Sequence, residues 1–238
     1  MTRLPVARVL TGLAVLLLVA GCTSSGGSLP TIPPATPVPS ESATPGPTHP
    51  GPTYPPGCPT SQPAPLGAND VRTVTLSTAK GDIVVQVKGS LSPIATGNFV
   101  ALASCGYYDG VVFHRLVPGF VIQGGDGQFG RSPDVVPGLM GTGGPPYTIQ
   151  DEPVTAAYAR GTVAMAKTGE PNSASSQFFI ILSAQGAGGL EARYQVIGTV
   201  TSGMDAVDAI AAMPNSGDAT GNQALDPVPM TKVTVSNP

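Results

Sequence analysis

The sequence predicts a small all-β barrel capped by helices. Short apolar–polar alternations recur down the chain, separated by glycine turns. Helical spacing is confined to two stretches, near residues 93–104 and 203–213. These features fall within residues 69–238, a length that suits one domain with one core.

Each element has its own local reason. Val71 to Thr78 and Gly81 to Lys88 alternate across Ala79-Lys80-Gly81 and read as a hairpin. Ser92-Pro93 is a helix start, with serine as N-cap and proline at the first helical position. That helix should run to about Ser104 with Ile94, Val100 and Ala101 on its buried stripe. Gly110 to Asp126 reads as strand, tight turn at Pro118-Gly119, strand. Alternation from Phe113 to Arg115 would point His114 away from Arg115, as a structural residue. Gly203 to Met213 is the second helix, with Met204, Val207 and Ile210 on one side, and Met230 to Val235 is the closing strand.

The N-terminus has a different character. Residues 1–21 carry Arg3 and Arg8, then an apolar core from Val9 to Ala20. This is the shape of a secretory signal and is shorter than the roughly 20 apolar residues of a membrane span. Val19-Ala20-Gly21-Cys22 resembles the lipobox of bacterial lipoproteins. That resemblance implies lipidation of Cys22 and a lipid-anchored protein on the outer face of the cell membrane. Residues 22–68 are rich in Pro, Ser, Thr and Gly and almost free of charge. Such a composition predicts a disordered tether, because it cannot bury enough surface to offset its ordering entropy.

Charge excludes one class of partner. The formal net charge is −3, becoming −5 when Arg3 and Arg8 are removed with the signal. No basic patch marks a nucleic-acid surface. Asp126 and Asp134 lie near glycines, but their spacing does not match a calcium loop. No metal or cofactor is expected, and the chain is read as a monomer.

Two stretches carry the chemistry: G-V-V-F-H-R-L-V-P-G-F-V-I-Q-G-G-D from Gly110, and M-A-K-T-G-E-P-N-S-A-S-S-Q-F-F-I from Met165. With G-T-G-G, D-E and R-G-x-V-x-M-A, in order, they resemble the cyclophilin family of peptidyl-prolyl isomerases. The resemblance implies a closed eight-stranded antiparallel barrel capped by two α-helices, acting on proline-containing polypeptides. Rotation about a peptide bond faces a barrier of about 20 kcal/mol, and X-Pro bonds exchange slowly. Shortening about 100 s to about 1 ms requires roughly 7 kcal/mol. No nucleophile is needed. A donor must stabilise the pyramidal prolyl nitrogen, an apolar seat must hold the ring, and a polar grip must hold the flanking carbonyl.

The resemblance places Arg115, Phe120 and Gln123 as catalytic residues. It implies substrate contacts from Val121, Met165, Ala166, Lys167, Gln177, Phe179, Leu190 and Tyr194. Arg115 would be the donor fork, and Phe120, Val121, Phe179 and Leu190 the seat. Gln123 and Gln177 would grip the carbonyl, and the Ala166-Lys167 backbone would pair with an extended substrate. Lys167 departs from the family's usual asparagine. Gly189 stands where a cyclosporin-contacting tryptophan is common, and Tyr194 where a histidine is common. The loop Gly127 to Met140 is longer than in the family and should border the groove.

With Cys22 lipidated, Cys58 and Cys105 remain outside the cytoplasm, either as a disulfide or as two free thiols. Two function classes stay open: an isomerase for exported or cell-envelope proteins, and a non-catalytic Pro-peptide-binding or scaffold module.

Overall fold

The structure, a computed structural model, describes residues 54–237. Cys22, the signal segment and the tether up to residue 53 lie outside the described residues. Eight strands close into one antiparallel barrel in the order β1-β2-β7-β5-β6-β4-β3-β8. They are β1 (Val71–Thr78), β2 (Gly81–Lys88), β3 (Val112–Val117), β4 (Val121–Gly124), β5 (Thr162–Met165), β6 (Phe178–Ile181), β7 (Val196–Ser202) and β8 (Gln223–Ser236). Helices α1 (Pro93–Ser104) and α2 (Met204–Ala211) pack against it.

The hairpin pairs as its alternation demands, with Val74 facing Val85 and Leu76 facing Ile83, all four fully buried. Inside the barrel, Phe99, Tyr108 and Phe113 surround Phe178, with ring centroids 5.3, 5.7 and 6.1 Å from it. These edge-on contacts suit the aromatic quadrupole. Strands β5 and β6 are buried on both faces. Val163, Met165, Phe178 and Ile180 enter the inner core, while Ala164, Phe179 and Ile181 join a smaller apolar cluster outside it. That outer cluster forms the apolar half of the candidate site.

Helix α1 departs from expectation in two ways. Its buried face is Ala95, Phe99, Leu102 and Ala103, whereas Ile94, Val100 and Ala101 are only partly covered. A segment N-terminal to β1 covers part of the helix, so the apolar stripe alone does not set its orientation. The Ser92 hydroxyl caps nothing. Instead the Glu152 carboxylate accepts from the N–H groups of Ile94 and Ala95, each at 2.9 Å. A charged acceptor at the positive helix end satisfies the donors more strongly than serine can. The closing strand β8 is also longer than its alternation indicated, starting at Gln223.

That covering segment is residues 54–68, the end of the expected tether. These residues lie along the barrel, and composition misled because their partners are distant in sequence. Leu66 N–H donates to the Pro93 carbonyl at 2.9 Å, and Gln62 Oε1 accepts from Gln150 N–H at 2.9 Å. A Cβ on Gly97 would fall 2.4 Å from the Ala64 carbonyl oxygen, so only glycine lets the strap cross α1 this closely. Cys58 is buried and joined in a disulfide to Cys105, one residue past α1, with 5.2 Å between Cα atoms.

The bond spans 47 residues of sequence. A loop of that size lowers unfolded-chain entropy by an amount equivalent to about 4 kcal/mol in the chain-entropy model. Replacing both cysteines by serine should therefore cost about 2–4 kcal/mol of unfolding free energy. Urea unfolding of the two forms measures it, and coincident curves would remove the bond from the stability account.

Candidate functional site

Strand register lines up the site. Across adjacent strands, Arg115 faces Gln123, Gln123 faces Phe179, and Phe179 faces Ala164. On its other side Arg115 faces Gln223 of β8. A bulge in β3 between Phe113 and Arg115 makes this possible. Without it, period-two alternation would put both side chains on one face. With it, Phe113 and Leu116 enter the core while Arg115 turns to the groove. The simple alternation expected for His114 fails for the same reason. Its ring is 3% exposed and borders the same pocket as Arg115.

The polar half of the site is a chain of side-chain amides. Arg115 Nη1 donates to Gln123 Oε1 at 3.4 Å, and Gln123 Nε2 donates to Gln177 Oε1 at 3.0 Å. Gln177 Nε2 donates to the carbonyls of Gly141 and Gly143, both at 2.9 Å. Both Gln177 protons are thus committed, so it orients Gln123 and does not itself grip a substrate carbonyl. Gln123 keeps one N–H in reserve. Among the described residues Arg115 forms no ion pair with a carboxylate. Burial pushes its guanidinium down from the ordinary arginine range.

Asp126, the last residue of the first motif and given no role in the site from sequence, anchors this chain. Its carboxylate is fully buried. Oδ1 accepts from the N–H groups of Gln128 and Phe129, both at 2.9 Å. Oδ2 accepts from Gly141 and Gly143 at 2.8 and 3.0 Å. One side chain therefore fixes both ends of the lengthened loop and the carbonyls that hold Gln177. An acidic residue after Gly124-Gly125 and before a glycine-rich loop was the available signal. No group of three or more metal-ligating side chains occurs among the described residues.

The apolar half is the outer cluster. Val121 and Phe179 are buried there, with Phe120, Ala166, Leu190 and Tyr194 packed against them. The rings of Phe179 and Tyr194 meet edge-on at 5.4 Å. Met165 is excluded: it is fully buried in the inner core, because the inward face of β5 falls on Val163 and Met165. Ala166 N–H donates to the Gln177 carbonyl at 2.8 Å, and the Lys167 ammonium pairs with Asp151. A Cβ placed on Gly189 would meet nothing within 4 Å, so no protein group fills the space beside Leu190. Gln123 and Gln177 also border a cavity of about 790 Å³, which Ala166 and Lys167 line as well.

This arrangement coincides with a known family. The family model for cyclophilin type peptidyl-prolyl cis-trans isomerase/CLD matches residues 73–235. The chain belongs to this family. A probable peptidyl-prolyl cis-trans isomerase of Brucella abortus is 36% identical over 170 residues, covering 71% of this chain and 84% of its own. A peptidyl-prolyl cis-trans isomerase of Streptomyces antibioticus is 36% identical over 165 residues, covering 66% of this chain and 93% of its own. The crystal structure of a Cryptosporidium parvum cyclophilin type isomerase superposes with TM-score 0.58 at 29% identity, covering 71% of this chain and 99% of that one. A second crystal structure of that cyclophilin, in the presence of the dipeptide Ala-Pro, gives TM-score 0.58 at 27% identity, over 70% of this chain and 99% of that one.

The buried imidazole gives this cyclophilin a titration signature. Burial is the main cause holding His114 down at about 4, with Asp126 raising it and Arg115 lowering it. In the unfolded chain it would titrate near 6.5. Between those values the unfolded state binds more protons, so stability falls as pH drops from about 6.5 to about 4, by up to roughly 3 kcal/mol. Urea midpoints across that window should decline, and His114→Phe should remove part of the slope. An unchanged slope in the variant would assign the acid lability elsewhere.

Proposed function

We propose that this cyclophilin accelerates cis/trans isomerisation of X-Pro bonds in exported or cell-envelope proteins. The observation that carries the reading is the hydrogen-bonded row Arg115–Gln123–Gln177 standing beside the Phe120, Val121, Phe179 and Leu190 seat. The proline ring enters the apolar seat. The Arg115 fork faces the prolyl nitrogen, whose lone pair is released as the bond twists out of plane. A guanidinium held in place beforehand binds that localised pair more strongly than the delocalised one, and this difference lowers the barrier. The spare Gln123 N–H holds a flanking carbonyl. The Ala166 carbonyl and the Lys167 backbone border the path of the extended peptide, since the Ala166 N–H is already taken. None of these steps needs an acid, a base or a cofactor.

The full-length protein should speed isomerisation of an Ala-Pro peptide in a protease-coupled assay. Arg115→Ala removes a charged hydrogen bond of about 1.5–3 kcal/mol and should slow it roughly tenfold or more. Arg115→Lys should also be poor, because an ammonium lacks the fork. Equal rates for all three would remove the assigned mechanism. Binding of the peptide without acceleration would favour the Pro-peptide-binding module.

The cellular setting rests on the sequence alone: a signal at 1–21 and a lipobox-like Val19-Ala20-Gly21-Cys22. In this reading the monomeric enzyme sits on the outer face of the cell membrane, held by lipid on Cys22. Cys22→Ser should abolish metabolic palmitate labelling and move the protein from the detergent phase to the soluble fraction. Label retained in that variant would defeat the lipid-anchor reading.

A further inference from the structure

A second cavity, of about 390 Å³, borders both Arg115 and Gln123. Its lining includes Arg115 and Gln123, Pro137 and Met140 of the lengthened loop, and Gln223 of β8. His114 is among its lining residues. The two strand neighbours of Arg115, Gln123 and Gln223, therefore border one opening from both sides.

The cavity is built and held. The Gln223 side-chain amide donates to the Pro137 carbonyl, tying the loop to the barrel. Within the loop, Val136 N–H donates to Phe129 O at 2.8 Å and Met140 N–H to Val136 O at 3.0 Å. Ser132 N–H donates to Gly110 O at 2.9 Å, and Asp126 fixes both ends. Such a loop presents a preformed wall, which lowers the ordering cost of binding.

His114 gives the cavity its chemistry. The ring is 3% exposed, and neither nitrogen has a hydrogen-bond partner among the protein groups around it. The Val112 backbone and the Gln177 amide stand close enough to favour the protonated ring, but neither meets hydrogen-bond distance and angle. A buried polar group left unpaired is costly, so such a group marks a place where a partner is taken up. Gly141 lies over Nε2: a Cβ there would stand 3.2 Å from that nitrogen, and its φ of +91° suits glycine. Near neutral pH the imidazole is uncharged and offers one donor and one acceptor. Arg115, unpaired with any described carboxylate, repels a cation from the same space.

From this juxtaposition we infer that the cavity is a specificity subsite. It receives a neutral hydrogen-bonding side chain, hydroxyl or amide, from the residue next to the substrate proline, and it rejects lysine. The inference rests on the isomerase reading of the groove and adds a selectivity to it.

The test uses the full-length protein and short peptides with Ser, Ala or Lys placed separately before and after the proline. Exchange NMR reads the catalysed cis/trans rate, and titration of the same samples reads binding. Serine at one of the two positions should exceed alanine by about three- to tenfold, the worth of one neutral hydrogen bond. Lysine there should fall below alanine by about tenfold or more. His114→Phe keeps the ring without its nitrogens, and Gln223→Ala releases the loop from a half-buried rim position. Each should bring the serine-to-alanine ratio close to one. Equal rates for the three peptides in the wild type, or ratios unchanged in both variants, would overturn the subsite while leaving the isomerase reading intact. Binding ratios as expected with no accelerated exchange would keep the subsite and remove the isomerase reading.

Discussion

The Asp126 carboxylate is the contact on which the active groove depends. It accepts four backbone N–H bonds while fully buried. Those bonds close a loop and aim two carbonyls at Gln177, which aims Gln123, which meets Arg115. From the Gly141 and Gly143 carbonyls to Gln123 every link is between neutral amides, and only then does the chain reach the guanidinium. The cation is thereby positioned without a carboxylate beside it, and its charge remains available to a substrate. A salt bridge would have positioned Arg115 as firmly but spent that charge on the protein.

Two apolar clusters divide the work of β5 and β6. Their inward residues fill the barrel, and their outward residues join the apolar cluster that borders the groove. A strand buried on both faces reads in sequence as an unbroken apolar run, as in Phe178-Phe179-Ile180-Ile181. Which of those residues faces out is fixed by pairing, with Gln123 opposite Phe179 and Ala164 opposite it on the other side.

Much of this was legible beforehand, and the failures have physical causes. The β1–β2 hairpin, both helices and the members of the seat follow from alternation, helical spacing and the family-like motifs. Met165 was misplaced because motif adjacency ignores strand parity. The β3 bulge has no local signature, so alternation gave His114 the wrong surroundings. The start of β8 was missed because Pro227 and Pro229 depress the strand signal of a segment that still pairs with β3. Glu152 acts on backbone donors 58 and 57 residues away, and Asp126 joins two donors beside it to two that lie 15 and 17 residues on, and composition cannot reveal such partners. Residues 54–68 were misread for the same reason: proline-rich chain becomes ordered when α1 offers it a surface.

The Cys58–Cys105 bond decides how the barrel responds to being pulled. Tension applied to the chain upstream of Cys58 passes through covalent sulfur directly into the end of α1. The strap that follows Cys58, and the hydrogen bonds of β1 with β2 and β8, lie outside the load path. Without the bond, the same tension would peel the strap from α1 and then draw on the edge of β1, opening the barrel from its first strand. For a pull from the N-terminal side of Cys58, the bond thus isolates the fold mechanically from the load.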